Sequence, residues 1–356
     1  MKNTRKGYRV ALIRGDGIGP ELCAATQQVI DATGMPIEWV EVLVGQNARQ
    51  AMGESLPGAS IKKIKELKVA LKGPLIAEKI SGGIWVKNES GSSHYPSINN
   101  AIRQELATYA NIRPIKGFNG VSGKYEAMDL VIVREVSEGI YIGMENSPDA
   151  DTGHSIKRIT RQGSQRIGKV AFEYARKFNR KKITAVHKAN VLHKTDGLFL
   201  SEMRDLARSY PEFVFDDQMI DAACYHVIKS PALFDVLVLP NQYGDIFSDV
   251  AAGLAGSMGL APGVNLGDGI AFFEASHGAA PDIAGKGIAN PVSLILSGAM
   301  LLEHLGEQEA AGKIKSAVEM TLKDPDNHTP DLGGKATTGQ LTDSVCEHVA
   351  YAHAQD

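Results

Sequence analysis

Cysteine is scarce: the 356 residues include only Cys23, Cys224 and Cys346, far apart and with no CxxC pair. A disulfide framework or a structural zinc site is thereby excluded as the basis of the fold, and a reducing compartment is the default. Long apolar runs are also absent. The most apolar stretches, 250–264 and 291–302, are broken by Gly, Ser and Pro, so no membrane span is expected. Neither sign of charge dominates, since 38 Lys and Arg face 41 Asp and Glu for a net charge of −3. A nucleic-acid-binding protein would carry a concentrated basic excess. Residues 1–7 lack the apolar core of a secretory signal. The expectation is a soluble cytoplasmic protein, or a mitochondrial-matrix one if the chain is a mature organellar form, with neither nucleic acid nor membrane as partner.

What is present is an ordinary globular composition, 43% hydrophobic and 22% charged. At about 150 residues per domain the length suggests two domains, or one large one with insertions. Short apolar runs at 8–13, 68–71, 130–134, 183–187, 234–239 and 270–274 predict buried strands. Apolar residues recurring every three or four predict helices over 20–33, 98–110, 159–177, 197–209, 291–305 and 308–323. The alternation makes the fold class α/β with much parallel sheet. The polar segment 88–94 reads as a mobile loop. Residues 137–151 pair a short β-like run, 140–144, with a turn-rich tail, which suits either a projecting arm or an ordinary surface hairpin.

Several residues can carry chemistry. Gly15-Asp16-Gly17-Ile18-Gly19-Pro20 follows the first strand, but Pro20 stands where a dinucleotide fingerprint has its third glycine, and no acidic residue closes a clear second strand. A tight strand-to-helix turn is the plainer reading. Asp245 and Asp249, four apart in a helix beginning near Gly244, share one face and call for a cation between them. Their oxygens suit Mg²⁺ or Mn²⁺; a helix cap and a solvated neighbour would equally explain them. Asn99 and Arg103 share a helical face, Arg113 follows that helix, and Arg134 ends a buried strand. Together the three guanidinium groups would suit a di- or tricarboxylate, although singly each could be a surface ion pair, and Ser97 only an N-cap. Lys188 ends another buried strand, where desolvation can lower its pKa, and Tyr141 is a second acid candidate. A snorkelling lysine and a packed tyrosine remain the alternatives.

Nine ordered motifs resemble one family over essentially the whole chain: GDGIGPE (15–21), ANIRP (110–114), Arg134-Glu135, Glu138-Gly139, HKAN (187–190), NQYGDIFSD (241–249), HGAAP (277–281), DIAGK (282–286) and DLGG (331–334). They look like the β-hydroxyacid oxidative decarboxylases, which comprise isocitrate, isopropylmalate, homoisocitrate and tartrate dehydrogenases. The resemblance implies the non-Rossmann isopropylmalate/isocitrate dehydrogenase-like fold. Its large domain would be 1–108 plus 257–356, its smaller central α/β domain 109–256, and its clasp about 139–160. It also implies a homodimer with shared active sites.

By matched position, the resemblance implies Mg²⁺ or Mn²⁺ on Asp245 and Asp249 with Asp221 of the second chain, acting as a Lewis acid on the substrate hydroxyl. Lys188 of that second chain would assist deprotonation and Tyr141 would return a proton. Arg103, Arg113 and Arg134 would bind the shared carboxylates. Ser97-Ile98-Asn99 matches the Ser-x-Asn pattern of isocitrate enzymes, and an alkyl substrate would leave these polar groups unpaired at about 1–3 kcal/mol each. Isocitrate is therefore expected, with homoisocitrate, isopropylmalate and tartrate as alternatives. A non-catalytic regulatory subunit is the other class, and the intact Tyr141, Lys188, Asp221, Asp245 and Asp249 speak against it. His277, Gly278, Ala279, Ala280, Asp282, Ile283, Asn290 and Asp331 would hold the cofactor. Asp282 stands where NADP-using relatives place a lysine, and a carboxylate there accepts from a ribose hydroxyl and repels a phosphate, so NAD is expected. The chain departs from the family pattern in a longer loop at 84–96 and at Val136, Gln242 and Ala279.

Overall fold

The computed structural model describes residues 7–76, 83–88 and 91–353. Ten strands form one sheet: β1 (Tyr8–Ile13), β2 (Ile37–Glu41), β3 (Val69–Lys72), β6 (Thr108–Lys116), β7 (Asp129–Glu135), β10 (Lys182–His187), β11 (Val214–Met219), β12 (Val236–Leu239), β13 (Pro262–Gly267) and β14 (Ile270–Ala275). Two hairpins lie outside it, β4 (Ile84–Asn88) with β5 (Gly91–Tyr95), and β8 (Glu145–Asp149) with β9 (Thr152–Ser155). The helices begin with α1 (Gly19–Ala32), α2 (Gln46–Met52), α3 (Gly58–Leu67) and α4 (Ile98–Glu105). Next come α5 (Arg161–Lys177), α6 (Asp196–Ala207), α7 (Ile220–Lys229) and α8 (Asn241–Ala255). The last three are α9 (Val292–Leu305), α10 (Gln308–Leu322) and α11 (Thr338–His353). No helix among the described residues is long and apolar enough to cross a membrane.

The sheet order is β11-β10-β12-β7-β6-β13-β14-β3-β1-β2. Each end is a parallel set, β2-β1-β3-β14 and β7-β12-β10-β11, and antiparallel pairings through β6 and β13 join them. Side chains alternate between the two faces. Val10, Leu12, Val236 and Val238 enter the core beneath α1, α5 and α9–α11. On the opposite face the core is split in two. Ala11 and Ile13 pack with α3 and α4, while Leu237 and Leu239 pack with α7 and α8. The gap between those two clusters is where a site can open.

Most expected elements are present, with four corrections. The helix expected over 98–110 stops at Glu105, because Ala107 turns to φ +49° and 108–116 leave as β6. The segment 88–94, expected as a mobile loop, is largely the β4–β5 hairpin, in which Val86 is buried and the exposed Trp85 ring meets His94 at 5.1 Å; residues 89–90 lie outside the described residues. The β-like run 140–144 contains a 3-10 turn, Ile140–Ile142, flanked by an isolated Gly139–Arg158 bridge, and the strand β8 starts at Glu145. Finally, a second strand does end on an acidic residue, Glu41, but Arg14 occupies its carboxylate at 3.1 Å.

The glycine turn after β1 is a packing device. Gly17 has φ +57°, and a Cβ there would lie 2.0 Å from the Ala279 carbonyl oxygen. That oxygen already accepts from the Ile18 amide at 2.9 Å. Both carboxylate oxygens of Asp16 accept backbone amides, from Gln46 at 2.8 Å and Ile76 at 2.9 Å. The motif therefore fastens loops together, and the tight-turn reading holds.

Candidate active site

A cavity of about 440 Å³ opens in the gap between the two half-cores. Ser97, Asn99 and Arg103 reach it from α4 and its N-cap, Arg113 from β6, Arg134 from the end of β7, Tyr141 from the 3-10 turn and Asp245 from α8. Six of the expected substrate and catalytic residues, and one expected metal ligand, thus line one space. Ser97 also caps α4, accepting from the Asn100 amide at 3.2 Å. Asn99 leaves Oδ1 buried without a partner.

The arginines are held by fixed polar groups. Arg103 donates from Nε to Asn265 at 3.1 Å and lies 3.4 Å from Glu274. Arg113 donates to Asn111 at 2.7 Å and to Ser248 at 2.6 Å, and approaches Asp249 at 3.7 Å. Arg134 donates from Nε and Nη2 to Asn241, at 3.1 and 2.7 Å, and pairs with Asp245 through Nη1. Burial, then the Arg103 and Arg113 charges, bring the Arg134 guanidinium down to about 9. Burial and Arg103 likewise lower Arg113. Arg113 and Arg134 are thus lowered in part by neighbouring guanidinium charge, although each of the three arginines also faces a carboxylate, Glu274, Asp249 or Asp245.

Asp245 and Asp249 share the cavity-side face of α8, which begins at Asn241, so neither caps it. Each already faces an arginine, Asp245 pairing with Arg134 and Asp249 lying 3.7 Å from Arg113. Tyr141 donates to Asp245 at 3.1 Å; burial, then that carboxylate, push its phenol above the ordinary range and keep it protonated. Burial raises Asp249 despite Arg113. As two hard oxygen donors on one helix face, Asp245 and Asp249 fit a divalent ion, although among the described residues no three His, Cys, Asp or Glu side chains converge on one. Asp221 is not near them as a third donor. It lies on α7, 64% exposed, accepting from Lys188 at 2.7 Å, and neither residue lines the cavity.

The residues expected to hold the cofactor follow β14. His277 and Gly278 line the same cavity; burial lowers the His277 imidazole, whose Nε2 is unpartnered. Ala279 is buried against Ile18, and Ala280 has φ +36°. Asp282 is exposed, and Ile283 packs on the core. Asn290 donates to Asp331 at 3.0 Å, and Asp331 also accepts from Ser257 and Thr329, both at 2.6 Å.

Sequence reasoning missed Lys72 and Glu274, which pair at 2.6 Å in the cavity wall. Burial alone would raise Glu274, but the Lys72 and Arg103 charges outweigh it and hold the carboxyl at about 2. Their signal was available: each ends an apolar strand, as Arg134 does. Asn111, Asn241 and Asn265 were read past, because an amide carries no charge to attract notice.

Comparison with known proteins agrees with this geometry. Residues 9–349 match the isocitrate/isopropylmalate dehydrogenase family model. The mitochondrial isocitrate dehydrogenase [NAD] catalytic subunit 5 of Arabidopsis thaliana is 44% identical over 95% of this chain and 87% of its own. The human mitochondrial isocitrate dehydrogenase [NAD] subunit alpha is 41% identical over 96% of this chain and 90% of its own. The crystal structure of isocitrate dehydrogenase from Methylococcus capsulatus superposes with a TM-score of 0.90 at 43% identity, covering 96% of this chain and 99% of that one. With the fold, the motif order and the cavity in agreement over nearly its full length, the chain belongs to the isocitrate/isopropylmalate dehydrogenase family.

Proposed function

We propose that the chain is an NAD-dependent isocitrate dehydrogenase that converts isocitrate and NAD⁺ to 2-oxoglutarate, CO₂ and NADH. The observation that carries this reading is three mutually repelling guanidinium groups in one cavity with Ser97 and the unpartnered Asn99 carbonyl at its rim. Such a field favours a substrate with several carboxylates, and the polar rim disfavours an alkyl group. The names of the relatives agree with isocitrate and NAD.

In this reading Arg103, Arg113 and Arg134 orient the carboxylates. Asp245 and Asp249, with Asp221 of a second copy, hold Mg²⁺ or Mn²⁺. When bound, the ion supplies Lewis acidity at the substrate hydroxyl, and NAD⁺ supplies the hydride acceptor. Lys188 of the second copy takes the hydroxyl proton, and Tyr141 delivers a proton to the carbon that CO₂ leaves. His277 to Ala280, Ile283, Asn290 and Asp331 line the cofactor side, and Asp282, exposed with no hydrogen bond or ion pair among the described residues, is placed to accept from a ribose hydroxyl. The large domain is read as 1–108 with 257–356 and the small one as 109–256. The clasp, about 139–160, contains the β8–β9 hairpin, and two copies form the homodimer.

Steady-state kinetics on isocitrate, homoisocitrate, isopropylmalate and tartrate, with NAD and with NADP, tests the proposal. The highest kcat/KM is expected for isocitrate with NAD, lost on chelation of the divalent ion. A preference for another acid or for NADP overturns the corresponding part, and a pure chain that binds isocitrate but turns nothing over indicates a regulatory subunit.

A further inference from the structure

Each cavity arginine rests on an asparagine, and each asparagine is locked from its far side. Arg103 Nε donates to Asn265 Oδ1 at 3.1 Å, Arg113 Nε to Asn111 Oδ1 at 2.7 Å, and Arg134 Nε to Asn241 Oδ1 at 3.1 Å. The side-chain NH₂ groups donate onward: Asn265 to the Glu274 carboxylate at 2.6 Å, Asn111 to the Val264 carbonyl at 3.4 Å, and Asn241 to the Glu138 carbonyl at 2.9 Å. Asn111 and Asn265 are completely buried and Asn241 nearly so. An amide with its NH₂ engaged can present only its oxygen to the guanidinium, so the donor pattern fixes each orientation.

A carboxylate at these places would orient an arginine equally well and pair with it more strongly. It would also cancel the charge that must attract the substrate. A neutral amide aims the guanidinium through its Nε and takes no more of its charge than the neighbouring carboxylate does. We propose that Asn111, Asn241 and Asn265 are positioning residues of the substrate site, neutral struts that hold three arginines in place without adding to the negative charge that Asp249, Asp245 and Glu274 already bring. The inference rests on the cavity binding a polycarboxylate, as in the function proposed above.

Asn111→Asp is the mildest test, since only a long 3.4 Å hydrogen bond is lost behind it. Asn241→Asp is the second variant. The probe is tricarballylate, a tricarboxylate without the oxidisable hydroxyl, titrated calorimetrically into the full chain with neither NAD nor metal, so turnover is not involved. For Asn111→Asp, Kd is expected to rise about tenfold, the equivalent of about 1.4 kcal/mol, with a flatter salt dependence, while Tm holds or rises because Arg113 gains a second counter-ion, closer than Asp249 at 3.7 Å. A merely structural asparagine would instead lower affinity and stability together. A Kd within twofold of the parent in both variants overturns the strut inference. A parent that binds no tricarballylate overturns the functional reading, and the inference with it.

Discussion

Tyr141 sits between a guanidinium face, 5.8 Å from its ring, and the Asp245 carboxylate that its hydroxyl contacts. Its raised pKa keeps the proton on the phenol across neutral pH, which suits a donor that acts late in a reaction. Tyr141→Phe is expected to lower kcat by about 10²–10⁴-fold with KM for isocitrate little changed, measured by steady-state kinetics; a drop in KM-linked binding alone would assign the residue to packing. Glu274 makes a different prediction. Its folded value of about 2 lies below the ordinary 4.5, so its contribution is complete above pH 4.5 and is lost as pH falls from 4.5 towards 2. Glu274→Gln should cost about 3 kcal/mol in urea melts at pH 7, and the gap to the parent should shrink through that window. A gap constant with pH would rule out the ionic origin. The site was largely legible through its charged residues, since Arg113, Arg134 and Asp245 stand in motifs and Arg103 shares a helical face with Asn99. Lys72 and Glu274 were not read, because a charge inside an apolar run looks like a strand end until its partner is known.

At the level of elements, the strands that announced themselves are those apolar on both faces, such as β1 and β12. Three of those that did not carry a contrary signal. β11 contains Asp216 and Asp217, β13 begins with Pro262 and ends with Gly267, and β6 holds Pro114, which cannot donate to a ladder. The antiparallel centre reverses strand propensity into a matter of tertiary pairing, which local pattern does not report. The β4–β5 hairpin delivers Pro96 onto the turn that carries Tyr141. A Cβ on Gly143, at φ +72°, would lie 2.4 Å from the Pro96 ring. Gly143→Ala is therefore expected to lower kcat about tenfold or more by displacing Tyr141, with Tm reduced only modestly. An unchanged kcat would show that hairpin and turn are not in register for catalysis.

For the whole molecule, the separation between two halves of the proposed chemistry matters most. Lys188 and Asp221 pair with each other on the α7 side, outside the cavity that holds Arg134, Tyr141 and Asp245. The shared-site dimer proposed above turns that separation into a test. Lys188→Met and Asp245→Asn should each be inactive, whereas co-refolded chains should recover about a quarter of parental activity, because random pairing leaves one intact site in half the dimers. Failure to recover would put both groups in the same subunit's site.

The sheet also sets a timetable for the newborn protein. β3 pairs with β1 on one side and β14 on the other, and Lys72 finds its carboxylate 202 residues later in the chain. On the ribosome, then, the first strands emerge with an open edge and an unmatched ammonium, and the ammonium stays so for a further 202 residues of synthesis. Closure over so long a span is slow, and during that delay the half-built sheet is the stretch of this protein most in need of a chaperone's shelter.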